Sequence, residues 1–172
     1  GLYLERTPVT VPAHARFGDH TLPARDNRPV ASLIAVAERD QEKPRLTLPG
    51  LHSTVEVALL DGVEGRGRGR AWMRLPVPVI DGRPCSTVVQ AATLSDFGNG
   101  VGQLKVAPDI GTINADISLY LHRDPRGDWL GLDAVSRMED NGNGLVETTL
   151  FDEHGPVGRV LQATLAMPVY AG

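Results

Sequence analysis

A single cysteine, Cys85, stands in the 172 residues, so the chain can close no internal disulfide and build no Cys-rich zinc site. That usage fits a reducing compartment, and a cytoplasmic location is the expectation. Long apolar runs are also missing: none approaches the roughly 20 residues that a membrane helix needs, and no charged-apolar-small signal opens the chain. A soluble protein without a membrane span is expected. Strong charge of either sign is absent, with 17 Lys and Arg against 21 Asp and Glu and a formal net charge of −4. This removes any broad electrostatic basis for nucleic-acid binding, although a local basic patch can still hold a small anion. His14, His20, His52 and His154 show no metal-ligand spacing, so neither a metal nor another cofactor is expected. No serine sits in a nucleophile elbow, which argues against a covalent serine mechanism, and no internal repeat is found.

At 41% hydrophobic content the chain can bury one core with an appendage, but not two full domains. It begins with Gly1 rather than Met, which marks a tag remnant, a processed product or a piece of something longer. Residues 1–50 are punctuated by prolines and glycines and are expected to form an N-terminal extension with one short helix. Asp26 or Asn27 caps that helix, Pro29 sits in its first turn, and Val30, Leu33, Ile34 and Ala37 share a face ending near Asp40. From Leu51 the texture changes to short alternating segments. His52–Leu60 and Arg68–Leu75 read as strands joined by a flexible turn at Asp61–Gly67.

Ser86–Phe97 reads as a helix, with Ser86 as N-cap, Gly98 as C-terminal stop, and Ala91 and Ala92 slim enough to lie close on a sheet. Its length of about 18 Å would cross several strands. Thr112–His122 is the clearest strand. Ile113, Ala115, Ile117, Leu119 and Leu121 form one face, and Thr112, Asn114, Asp116, Ser118, Tyr120 and His122 form the other. Trp129–Met138, Leu145–Phe151 and Val157–Met167 follow at hairpin spacing. The predicted class is therefore α+β, an antiparallel meander covered by one early helix.

The stretches AWMRLPVPVIDG, QAATLSDFGNGVG, TINADISLYLHR, GDWLGLDAVS and TTLFDEHGPVGRVLQATLAMP, taken together and in this order, resemble the C-terminal hotdog of thioesterase II-type acyl-CoA thioesterases. The resemblance covers roughly residues 51–172, the expected hotdog domain, and implies a curved antiparallel sheet wrapped around a central helix. Family members carry two fused hotdogs. The first 50 residues are too few for the other one, so they are read as an extension or remnant, and a homodimer or a second hotdog would replace the missing half. An exposed sheet edge points the same way, with Thr112–His122 as the interface strand.

The resemblance also implies the site. The SDF carboxylate corresponds to Asp96 and the terminal-strand glutamine to Gln162. The remaining position falls on Asn114, where the family has threonine. Thioester hydrolysis needs a positioned water, an acceptor for its proton and donors for the oxyanion. Asp96 can take the proton, and Asn114 and Gln162 can fix the water. The plainer readings are a solvated carboxylate, a strand asparagine bonded to a neighbour and a satisfied buried glutamine. His122 lies on the polar face of its strand, where a bystander role is the plainer reading.

Arg66, Arg68 and Arg70 alternate with glycines and would put three guanidiniums on one side, able to clasp the phosphates of coenzyme A; a solvated turn is the alternative. Gly98, Gly100 and Gly102 follow a helix instead of joining a strand to one, so they are no dinucleotide fingerprint. The expected substrate is an acyl-CoA or acyl-carrier thioester. Two other functions stay open: a non-catalytic acyl-binding or assembly module, motivated by Asn114 and the short N-terminus, and a hotdog dehydratase or hydratase, which would want a His beside the acid.

Overall fold

Eight strands form one antiparallel sheet in the computed structural model, which describes residues 8–18, 20–37, 50–62 and 65–168. They are β1 (Val30–Ser32), β2 (Glu56–Gly62), β3 (Arg68–Arg74), β4 (Ile110–Asn114), β5 (Ser118–Leu121), β6 (Leu130–Met138), β7 (Asn143–Asp152) and β8 (Gly155–Pro168). Their order is β1-β2-β3-β6-β7-β8-β4, and β5 also pairs with β8. The helices are α1 (Leu33–Ala37), α2 (Leu51–Thr54), α3 (Thr87–Leu94) and α4 (Gly98–Val101), with a 3-10 turn at Ser95–Phe97 between the last two. The sheet curls around this α3–α4 segment.

Period-two alternation divides the side chains between two faces. On the inner face Val57, Ala71, Met73, Leu132, Ala134, Val146, Leu150 and Val160 meet Ala91, Leu94, Phe97 and Val101 of the helical segment. Each large apolar side chain buried this way contributes about 1.5–3 kcal/mol. On the outer face Ala58, Leu60, Trp72 and Phe151 pack with Trp129 and with Leu22 of the N-terminal segment. Trp72 keeps its indole N–H satisfied there by donating to the Pro23 carbonyl at 2.9 Å.

Several expectations need correction. The helix does not stop at Gly98. Ser86 does cap it, its Oγ accepting from Val89 N at 3.2 Å, but the backbone tightens at Ser95 and runs helically to Val101, with Gly98 at an ordinary φ of −52. Ala91 is fully buried as expected, whereas Ala92 points to solvent. A very close approach of helix to sheet lies further on, where a Cβ at Gly69 of β3 would run into the Val101 carbonyl.

The N-terminal helix begins later than predicted. Val30–Ser32 is a strand paired with β2, and α1 begins only at Leu33, capped by Ser32, whose Oγ accepts from Ala35 N at 3.2 Å. Asn27 instead occupies a left-handed turn at φ 62; the expected end near Asp40 lies outside the described residues. His52–Thr54, expected as strand, form α2 before β2 begins at Glu56. Of the Asp61–Gly67 turn, Asp61 and Gly62 still belong to β2, and residues 63–64 lie outside the described residues.

The correction that matters most concerns Thr112–His122, which is two strands and not one. Asn114 pairs with Thr164, but Leu119 pairs with Val160, so the register along β8 slips by one residue between β4 and β5. Asp116 makes the slip affordable to the backbone, its Oδ1 accepting from Ala163 N at 2.9 Å in place of a ladder carbonyl. A one-residue slip reverses which side chains face the core. Ile113 and Ile117 are therefore exposed, while Leu119 and Leu121 pack on the core and Asn114 shares their inner face.

Candidate active site

Three elements meet at Asp96. The residue lies on the 3-10 turn and is exposed. Asn114, brought to the inner face by the slip at the end of β4, donates from Nδ2 to Asp96 Oδ1 at 2.9 Å. Gln162 sits in β8, opposite Val146 of β7, and is 0% exposed. Its Nε2 donates to the backbone carbonyl of Asp96 at 3.2 Å. The three residues named from the sequence are thus brought together, but they differ in kind. Asp96 and Asn114 face one another through their side chains, whereas Gln162 grips Asp96 by its main chain from beneath.

A neighbouring pair braces the same corner: Thr112 Oγ1 donates to Asn99 Oδ1 at 3.1 Å, tying β4 to α4 one turn beyond Asp96. Three buried polar atoms near the site have no hydrogen-bond partner, namely Asn114 Oδ1, Gln162 Oε1 and Thr148 Oγ1. Leaving a buried donor or acceptor unpaired costs about 1–3 kcal/mol, so this concentration of polar atoms is not what a purely structural core would hold. Thr148, Asn99 and Thr112 were not singled out in the sequence. Thr148 alternates with Val146 and Leu150 on the core-facing side of β7, and a hydroxyl at such a position was the available signal.

The arginines lie elsewhere. Arg68 and Arg70 alternate with the inward Gly69 and Ala71 and share the outer face of β3 with Trp72. With Arg66, Asp61 and Asp133 they line a cavity of about 510 Å³. Arg70 is paired with Asp61, through Nε at 2.9 Å and also through Nη2. The Arg70 guanidinium holds the Asp61 carboxyl below its usual range, against the opposing effect of burial. The structure therefore gathers the three arginines around one cavity but sets Arg68 and Arg70 on the face opposite to Asn114 and Gln162.

His122 takes the plainer role. Its Nε2 lies 3.0 Å from the Pro156 carbonyl and its ring stacks on Phe17 with centroids 3.6 Å apart. Burial lowers its pKa, opposed by the Pro156 hydrogen bond and aided by nearby Arg123. Among the described residues no group of three or more His, Cys, Asp or Glu side chains could hold a metal ion. None of the described helices is long and apolar enough to cross a membrane.

The architecture and the site can be set beside known proteins. Residues 23–166 match the family model for the acyl-CoA thioesterase C-terminal domain. Among solved structures, acyl-CoA thioesterase II TesB2 from Mycobacterium marinum is 22% identical with a TM-score of 0.49, over 74% of this chain and 56% of that one. The chain thus spans little more than half the length of that protein. A thioesterase from Haemophilus influenzae is 12% identical with a TM-score of 0.51, over 67% of this chain and 80% of that one. A protein from Syntrophus aciditrophicus assigned as a thioesterase is 10% identical with a TM-score of 0.51, over 76% and 93% respectively. A search of curated proteins returns no match. The family match over most of the chain, joined to a curled antiparallel sheet around a central helix, shows that the protein belongs to the acyl-CoA thioesterase C-terminal domain family and has the hotdog fold.

Proposed function

We propose that this chain hydrolyses an acyl-CoA or acyl-carrier thioester by direct attack of water. Asp96 takes the proton of the attacking water. Asn114 holds the Asp96 carboxylate by one oxygen and so fixes the direction in which the other faces the water. Gln162 acts as a positioning residue, anchoring the turn that carries Asp96. The observation that carries this reading is the convergence of residues 18 and 66 positions away in sequence on Asp96, one on its side chain and one on its main chain. The family supports thioester chemistry in general. The phosphates of coenzyme A are assigned to Arg66, Arg68 and Arg70 on charge and on their shared cavity, not on nearness to Asp96.

The test is thiol release from a panel of acyl-CoAs by the parent protein and by Asp96→Asn, a nearly isosteric change. Turnover should fall by about 100-fold or more, the range for losing a general base, with the melting temperature preserved. Full turnover in the variant would exclude the mechanism. The full burial of Gln162, which removes it from direct contact with substrate in this structure, favours a second reading, a non-catalytic acyl-binding module. Acyl-CoA binding without thiol release by the parent would select it.

A further inference from the structure

Thioester hydrolysis needs a donor for the oxyanion as well as a base for the water, and the residues assigned above leave that role empty. Asn114 Nδ2 is turned to Asp96 Oδ1, and Gln162, fully buried, turns its Nε2 to the Asp96 carbonyl. Asn99 lies three residues beyond Asp96, inside α4, and is half-buried. Its Oδ1 accepts from Thr112 Oγ1 at 3.1 Å. Its Nδ2 makes no hydrogen bond among the described residues and is not one of the buried unpartnered atoms, so it is open to solvent.

Thr112 and Asn114 are alternate residues of β4, so their side chains stand on one face about 7 Å apart. Asp96 and Asn99 are neighbours on one side of the helical segment, with Cβ atoms about 5–6 Å apart. The Asp96–Asn114 and Asn99–Thr112 hydrogen bonds are therefore successive rungs between that segment and β4, the last strand in the sheet order. A water on Asp96 attacks a carbon about 3 Å away, and the oxygen on that carbon takes a donor about 3 Å off. Adjacent rungs along one crevice meet both demands. We propose that Asn99 is a catalytic residue: its Nδ2 donates to the thioester carbonyl oxygen as negative charge gathers there, and Thr112 fixes the amide by holding Oδ1. The water oxygen bonds to the carbonyl carbon while its proton passes to Asp96. The C–S bond then breaks, the carbonyl re-forms, and the proton returns to the departing sulfur, leaving a carboxylic acid and a thiol.

The inference rests on the thioester reading, and its test separates the donor from the base. In Asn99→Ala, kcat for acyl-CoA hydrolysis should fall by about 100-fold or more, the range for one oxyanion donor, with KM within about twofold. Asn99→Asp, nearly isosteric and still an acceptor for Thr112, should lose as much, which guards against a misfolded alanine variant. Thr112→Val, which removes the rung but leaves the amide, should lose no more than about tenfold. The second readout needs no turnover: isotope-edited infrared spectra of a bound ketone analogue of acyl-CoA, with CH2 in place of sulfur and 13C at the carbonyl. Its C=O stretch should lie lower on the parent than in free solution and return toward the free value on Asn99→Ala. Parent-like kcat in both Asn99 variants, losses no greater than in Thr112→Val, or a C=O stretch unmoved by Asn99→Ala would each overturn the proposal. If Asp96→Asn keeps full turnover while the Asn99 variants lose it, the base is misassigned and the donor stands. If the parent releases no thiol, the stretch alone decides, and a parent that binds no analogue overturns both readings.

Discussion

Asn114 is the residue on which the site turns. Its Nδ2 reaches Asp96 Oδ1 at 2.9 Å, a reach that depends on the length of the amide side chain. Asn114→Thr shortens that reach, so turnover should drop by about tenfold, the scale of one lost hydrogen bond, measured as kcat with the same acyl-CoA panel. A rise in kcat would mean that asparagine is a degraded replacement for a working hydroxyl. Asn114→Asp asks a different question. It sets two carboxylates against one another, and like charges that close cannot both ionise easily. The acid limb of the pH–rate profile should move to higher pH than in the parent.

Among elements, the α3–α4 segment and the sheet come close where Gly69 faces the Val101 backbone. Gly69→Ala drives a Cβ into the Val101 carbonyl, which cannot swing aside as a flexible side chain would. The cost should be about 1–3 kcal/mol, seen as a lowered melting temperature. Ala92→Leu, by contrast, adds bulk on the solvent side of α3 and should stay within about 0.5 kcal/mol of the parent. Helical spacing placed Ala91 and Ala92 together because they lie three and four residues after Val88, both within one apolar stripe. Each step turns the helix by a fixed angle, and only packing decides which of the two faces the sheet.

For the whole molecule, an ion pair between a buried carboxylate and a half-buried arginine ties the outer turns together. Asp152 is 0% exposed and accepts from Arg123 Nη1 at 2.5 Å and Nη2 at 2.7 Å, and from the backbone N–H groups of Arg126 at 2.9 Å and His154 at 2.8 Å. Burial alone would raise its pKa, but the Arg123 hydrogen bonds and these N–H groups outweigh it, and the pKa lies below the usual value. A carboxyl depressed in the folded state adds stability above its unfolded pKa of about 4, and that contribution is lost as pH falls through the folded value. Asp152→Asn should therefore lower the melting temperature at neutral pH and narrow its gap to the parent as the solution is acidified below about pH 4. A gap independent of pH would remove the charge from the explanation.

Assembly belongs to the same scale. The N-terminal segment covers the outer face around Trp72, but Ile113, Leu145, Leu161, Leu165 and Met167 stand exposed on β4, β7 and β8. With β4 and β5 at the sheet edge, a homodimer or a second hotdog paired through residues 112–122 is the expected assembly. Light scattering of this chain at micromolar concentration should report a dimer, and a stable monomer would count against it.

Local chemistry carried most of the fold. β6, β7 and β8 are legible because alternation over nine or more residues and turn-forming residues between them are properties of adjacent positions. Ser86 announced its helix for the same reason, and the residues of the site were recognisable by type and order. What the chain order could not reveal depends on partners distant in sequence. The slip between β4 and β5 exists because Asp116 meets Ala163 across the sheet, and that slip turned Asn114 inward after simple alternation had set it apart from Leu119 and Leu121. Gln162 gripping the Asp96 main chain, and Thr112 meeting Asn99 at the same corner, likewise required β4, β8 and the helical segment to be packed together, because hydrogen-bond geometry between remote residues is set only when the intervening chain has folded.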